Sequence, residues 1–188
     1  MNLPNKLTVA RIIVVPLFVL AMLLSKDSAG MKIVAFVIFG LASLTDLLDG
    51  WIARSRNLVT SFGKFADPIA DKLLISSALI CFVKLGSLPA WKAIIVIARE
   101  LIIDGIRLVA AEKGVVIASS VWGKLKTDCQ VVTCILLIFN QPHIKWLNTI
   151  FIVLMLVLTI VSLVDYVIKN RFIFIDGAAE DDVFDTDN

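Results

Sequence analysis

Four aspartates stand close together in a strongly apolar chain: Asp46, Asp49, Asp67 and Asp71. The stretch reads D-L-L-D-G-W-I-A-R, then eight residues, then G-K-F-A-D-P-I-A-D. Spacings of three and four put the members of each pair on one face of a helix. Two such helices side by side could bring four carboxylates to one place. Anions gathered in apolar surroundings repel one another and lose hydration, and divalent cations between them would relieve both costs. Oxygen donors of this kind suit Mg²⁺ or Mn²⁺. Gly50 and Gly63 bracket the loop between the pairs, where a missing side chain lets a ligand or a neighbouring backbone come close. Ala53 adds another small residue, and Arg54 can meet a phosphate through two parallel hydrogen bonds. The chemistry suggested is metal-assisted work on a phosphate. A plainer alternative, capping and interfacial charges around a short loop, accounts for one or two aspartates but not for four with two glycines and an arginine.

The elements that must carry these residues are helices in a membrane. The chain has 188 residues, 59% of them hydrophobic, and a mean hydropathy of +0.94. Soluble domains are about 45–50% apolar, so an integral membrane protein is expected, of a length that suits one domain. The formal net charge of +2 gives no reason to expect a nucleic-acid partner. Cys81, Cys129 and Cys134 form no C-x-x-C pair and are expected as small core residues. The one histidine, His143, follows Pro142 in a predicted loop and is expected to be solvated.

Six apolar helical segments are predicted at 6–25, 31–55, 60–84, 89–112, 121–141 and 145–168. Only the sixth holds an uncharged run, Trp146 to Val164, long enough to span a bilayer unaided. The first contains Arg11 and a helix-bending Pro16, the second ends in the first aspartate pair, and the third begins with the second pair. Pro68, between Asp67 and Asp71, falls in the first turn of the third segment or shortly after. The fourth carries Arg99, Glu100, Asp104 and Arg107, and ionisable groups so placed usually face a cavity or a partner. Turns are expected at Lys26–Asp27, Gly86–Ser87, Gly114 and Gln141–Pro142. No internal repeat, low-complexity segment or cleavable signal pattern is visible. The division expected is a six-helix catalytic domain over 1–170 and an acidic, disordered cytoplasmic tail over 171–188.

Six spans put both ends of the chain on one side. That side holds Lys6, Arg11, Arg54, Arg56, Lys64, Lys113, Lys124, Lys126, Lys169 and Arg171, against Lys26, Lys32, Lys84, Lys92 and Lys145 on the other. The excess of cations points to cytoplasmic termini, with the aspartate ends of the second and third helices on the same face.

The pattern D-x-x-D-G-x-x-A-R, eight residues, G-x-x-x-D-x-x-x-D resembles the signature of the CDP-alcohol phosphotransferase family at every fixed position: Asp46, Asp49, Gly50, Ala53, Arg54, Gly63, Asp67 and Asp71. The resemblance continues in Pro4-Asn5-Lys6-Leu7-Thr8 with Arg11, in Ala98-Arg99-Glu100 with Arg107, and in Gly123-Lys124-Leu125-Lys126-Thr127, which look like bacterial members acting on glycerol 3-phosphate. It implies an all-α, polytopic membrane protein with six transmembrane helices, multi-pass in the cell membrane, and a homodimer. It also implies an enzyme that transfers the phosphatidyl group of CDP-diacylglycerol to glycerol 3-phosphate, giving phosphatidylglycerophosphate and CMP. Asp46, Asp49 and Asp67 would hold two divalent ions, with Asp71 as a further ligand and the general base. Gly50, Ala53, Arg54, Thr60 and Gly63 would lie along the donor. Asn5 and Thr8 would contact the nucleotide, unless they only cap the first helix.

An acceptor carrying a phosphate dianion needs cations, for which Arg99, Arg107, Lys124 and Lys126 are the candidates. Ordinary interfacial anchoring is the alternative for the lysines, and salt-bridging to Glu100 or Asp104 is the alternative for the arginines. Other acceptors compatible with the core motif are inositol phosphate, serine and phosphatidylglycerol. A cation transporter, from a different class, would use the aspartates as a transport site, but such proteins often show repeated halves.

Overall fold

The computed structural model describes residues 3–26, 28–55, 61–114, 117 and 120–171, with side chains at all of these except 3–8, 46–55, 61–68 and 71. Among the described residues the chain is all-helical. Its six α-helices are α1 (Leu3–Leu24), α2 (Ala29–Ser55), α3 (Ser61–Lys84), α4 (Ala90–Glu112), α5 (Val121–Phe139) and α6 (Lys145–Lys169). A single turn of 3₁₀-helix, Pro142–Ile144, precedes α6 and carries the exposed His143. The predicted segments and the observed helices correspond one to one. The largest difference is at α1, which begins at Leu3, three residues before the predicted start, with Pro4 in its first turn. A proline there loses no hydrogen bond, because the first N–H groups of a helix lack intrahelical partners anyway. The helix also continues through Pro16. Pro68 lies two turns inside α3, and the backbone stays helical across both Asp67 and Asp71.

The turns follow from local chemistry. Gly86 and Gly114 end α3 and α4 with φ of +73° and +74°, a left-handed conformation that costs glycine little and other residues more. Asn140 takes the same role after α5 at φ 39°. Its side chain donates to Ser87 Oγ at 3.1 Å and accepts from Asn148 Nδ2 at 3.2 Å. One asparagine therefore ties the α3–α4 turn, the end of α5 and the start of α6 together at one end of the bundle.

α1 packs on α2. α3 packs on α1, α4 and α5, α5 packs on α6, and α6 lies along α4. The core is built of Phe18, Phe39, Ala78, Leu79, Phe82 and Met155, all fully buried. The Phe18 and Phe39 rings meet at 5.6 Å and 45°, a tilted geometry favoured by the ring quadrupoles. The three cysteines are free and buried, as expected of small core residues.

The outer faces of the helices are also apolar. Ile13, Leu41, Ile80, Ile94, Leu108 and Ile160 are all more than half exposed. A continuous apolar exterior of this kind is matched to apolar surroundings rather than to water. By length and composition one described stretch, Pro142–Lys169, can cross a membrane alone, and Val9–Leu24 and Ala29–Thr45 are shorter apolar runs. The buried hydroxyls of Thr133 and Thr159 donate to the carbonyls of Cys129 and Met155 one turn back, at 2.7 and 2.6 Å. Their polar atoms are thereby satisfied inside the bundle.

Candidate functional site

The two aspartate pairs lie on continuous helix. Asp46 and Asp49 fall in the last three turns of α2, and Asp67 and Asp71 in the first three turns of α3. The spacings of three and four are therefore true helical spacings, as anticipated. Asn5 and Thr8 lie in the first two turns of α1, Gly50, Ala53 and Arg54 at the end of α2, and Gly63 at the start of α3. The side chains at these positions lie outside the described residues, as does the whole of Thr60. Among the described residues no group of three or more His, Cys, Asp or Glu side chains comes together; the carboxylates of the four aspartates lie outside them.

The described side chains around this end of the bundle are strongly ionic. Lys72 follows Asp71 and donates to the carboxylate of Asp104 on α4. One turn earlier on α4, Glu100 accepts from Lys126 on α5 and from Arg99 Nη1, which lies 3.3 Å from each carboxylate oxygen. Lys126 is 2% exposed, so its charge is neutralised inside the protein rather than presented at the surface. Between α3, α4 and α5, Lys72, Glu100 and Lys126 line a small crevice with Ile75, Ser76, Thr127 and Gln130.

The four cations expected at the acceptor phosphate separate into two kinds. Arg99 and Lys126 are buried and share Glu100. Arg107 and Lys124 are exposed. Arg107 Nε donates to the phenol oxygen of Tyr166 on α6 at 3.3 Å, and the guanidinium carbon lies 5.7 Å from the centre of that ring. Stacking on an aromatic face holds a guanidinium while leaving its outer N–H groups available. The alternative in which Asp104 pairs with Arg107 is not what is observed, because Asp104 is engaged by Lys72. The alternative in which Arg99 pairs with Glu100 is observed.

Lys124 lies in the first turn of α5. This helix is capped by Ser120, whose hydroxyl accepts from Gly123 N at 3.1 Å. A Cβ at 123 would lie 3.8 Å from Arg99 Nη2, an ordinary contact distance, so Arg99 lies against the start of α5.

A second cavity, of about 270 Å³, lies between α1 and α2 and is lined almost wholly by apolar side chains, among them Val14, Leu17, Ile38 and Leu41. Its polar members are the buried Arg11 and Thr45, the residue before Asp46. The groove therefore reaches Thr45, next to the first aspartate pair in the chain.

Sequence reasoning did not single out Lys72 or Tyr166. The signal for Lys72 was its place directly after Asp71. Tyr166 is the one tyrosine in the chain, and nothing local marks it.

Comparison with known proteins agrees with this architecture. Residues 1–161 match the family described as CDP-alcohol phosphatidyltransferase. A Bacillus subtilis protein named CDP-diacylglycerol–glycerol-3-phosphate 3-phosphatidyltransferase is 44% identical over 152 residues, 75% of this chain and 79% of that protein. A Haemophilus influenzae protein of the same name is 37% identical over 171 residues, 88% and 91% of the two chains. A Mycobacterium tuberculosis protein named probable phosphatidylglycerophosphate synthase is 42% identical over 173 residues, 89% and 81% of the two.

Proposed function

The chain belongs to the CDP-alcohol phosphatidyltransferase family, and on that premise we propose that it transfers the phosphatidyl group of CDP-diacylglycerol to glycerol 3-phosphate, forming phosphatidylglycerophosphate and releasing CMP. The observation that carries this is the extent of likeness to relatives bearing that activity in their names, at 37–44% identity over three quarters or more of the chain. The two exposed cations, Arg107 and Lys124, supply what a phosphate-bearing acceptor requires. Serine, a zwitterion without a phosphate, would present only a single carboxylate to them.

The donor set fits divalent metal. Four carboxylates at helical spacing on α2 and α3 are hard oxygen ligands, and Asp46, Asp49, Asp67 and Asp71 would hold two Mg²⁺ or Mn²⁺ ions. Bound there, the ions supply positive charge against the negative charge that builds up as CMP departs. Arg54 binds a phosphate oxygen of the donor, and Gly50, Ala53 and Gly63 keep the backbone low beneath it. Asn5, Thr8 and Thr60 complete the nucleotide contacts. The apolar groove between α1 and α2 gives one acyl chain a path toward Asp46 without its leaving apolar surroundings.

Arg107, held on the Tyr166 ring, and Lys124 bind the acceptor phosphate and orient its 1-hydroxyl. That oxygen attacks the phosphorus bearing diacylglycerol, the bond from this phosphorus to the CMP oxygen breaks, and Asp71 takes the proton. Positioning contributes more to the rate than proton removal, since a carboxylate close to cations is a weak base. Arg99 and Lys126, both committed to Glu100, support the acceptor site from behind.

The six helices span the cell membrane, with both termini, the aspartates and the acceptor cations on the cytoplasmic side, where glycerol 3-phosphate is available. The chain acts as a homodimer embedded in membrane lipid, and residues 171–188 form an acidic cytoplasmic tail. The test is CMP release from CDP-diacylglycerol by the purified protein. Glycerol 3-phosphate should support it. Release only with inositol phosphate, serine or phosphatidylglycerol would replace the acceptor assignment.

A further inference from the structure

We propose that the ion pair between Lys72 and Asp104 is a positioning device that fixes the roll of α3, and with it the carboxylates of Asp67 and Asp71. The proposal rests on the metal reading given above. Lys72 lies next to Asp71 in sequence and five residues after Asp67, and it is tied to α4 through Asp104. Asp104 and Glu100 are one turn apart, and α4 therefore presents two carboxylates toward its neighbours. Asp104 reaches α3, and Glu100 reaches Lys126 on α5.

Apolar packing holds one side of α3 at that level, where Leu74 and Ile75, one turn beyond Asp71, are buried in the core, and the ion pair holds the side that carries Lys72. Deeper in α3 the helix is keyed by Leu79 and Phe82, both fully buried. Ala70, next to Asp71, is buried too but has little shape to resist rotation. Beside it lies the crevice lined by Lys72, Ser76, Glu100, Lys126 and Gln130.

The tolerance is small. A carboxylate about 5.5 Å from the helix axis moves about 2 Å when the helix rolls by about 20°. A functional constellation needs its groups held within about 0.5 Å, and an error of about 1 Å can cost about 10²-fold in rate. An ion pair at the adjacent residue limits that roll directly.

The experiment is a double-variant cycle on the purified full-length protein in lipid, read by Mn²⁺ affinity and by kcat with saturating substrates. Lys72→Met and Asp104→Leu, each alone, should weaken Mn²⁺ binding about tenfold and lower kcat about 10–10²-fold. Lys72→Arg, which keeps the pair, should stay within a few fold of wild type. The combined Lys72→Met, Asp104→Leu variant replaces an ion pair by an apolar contact and leaves no charge stranded. It should recover most of the Mn²⁺ affinity and exceed the rate expected from multiplying the two single losses. If Lys72 instead touched the donor, Asp104→Leu could not repair its loss, and a combined variant no better than Lys72→Met would overturn the proposal. Should a single variant fail to fold, the combined variant and Lys72→Arg still decide: folded protein with tenfold weaker Mn²⁺ binding in both contradicts the positioning role. A wild-type chain that binds no Mn²⁺ and releases no CMP overturns the underlying metal reading. A wild type that does both, matched by the single variants, overturns this proposal alone.

Discussion

Arg107 on α4 is held by Tyr166 on α6, with its Nε donating to the phenol oxygen at 3.3 Å and the guanidinium 5.7 Å from the ring centre. Neither contact neutralises the charge, because the phenol is a neutral partner. Asp104, three residues earlier and well placed for a helical pair, gives its carboxylate to Lys72. The arginine is thus oriented and left cationic on an exposed face.

The consequence for acceptor binding is specific. Arg107→Ala should raise the KM for glycerol 3-phosphate and cost about 2–4 kcal/mol in kcat/KM, the scale of a lost charge-assisted contact. The KM for CDP-diacylglycerol should change far less. Arg107→Lys should rescue in part only, since a point charge cannot make a bidentate contact. Adding Asp104→Ala to Arg107→Ala should not restore turnover, because Asp104 is not the partner of Arg107. Restoration in that double variant, measured by steady-state kinetics, would remove Arg107 from the acceptor site.

Stability should respond differently at Lys126. Its ammonium is buried and paired with Glu100. Removing one member of a buried pair typically costs about 3–5 kcal/mol, whereas replacing both by apolar groups is often close to neutral. Lys126→Met should therefore lower the unfolding temperature in detergent clearly. Combining it with Glu100→Leu should recover part of the loss, limited by Arg99, which also contacts Glu100. Equal melting of Lys126→Met and wild type would show that the pair carries no stability.

Much of this was legible in the sequence, and the failures have a common cause. Long apolar runs, separated by Lys26–Asp27, the loop between Gly50 and Gly63, Gly86, Gly114 and Pro142, located all six helices, and glycine and proline act locally through backbone conformation. The helical register of the aspartates was legible for the same reason: spacing within one helix is a local property. Which ions pair across helices was not. Asp104 and Arg107 share a helix and look like partners, yet the packing of α3 against α4 brings Lys72 in first. Lys126 reads as a ligand of the acceptor phosphate, or else an interfacial anchor, but the roll of α5 turns it inward to Glu100. Interhelical register leaves no periodic trace in a single chain.

Metal dependence should be absolute. Chelation should abolish turnover, and Mg²⁺ or Mn²⁺ should restore it. Asp71→Asn, which removes a proposed ligand and the proposed base together, should lower turnover by at least about 10²-fold. Full activity in excess chelator, with no metal found by elemental analysis, contradicts the two-ion site.

Orientation can be tested separately. In sealed right-side-out vesicles, protease added outside should spare the tail beyond Arg171. Its cleavage from outside would put the aspartates on the wrong face for a cytoplasmic acceptor.

The most direct measurement follows both products of one reaction. Purified protein in lipid, given CDP-diacylglycerol, Mg²⁺ and labelled glycerol 3-phosphate, should move the label into lipid and release CMP in a one-to-one ratio. CMP release without label in lipid, or CMP release only when a different alcohol is supplied, would contradict the assignment of glycerol 3-phosphate as the acceptor.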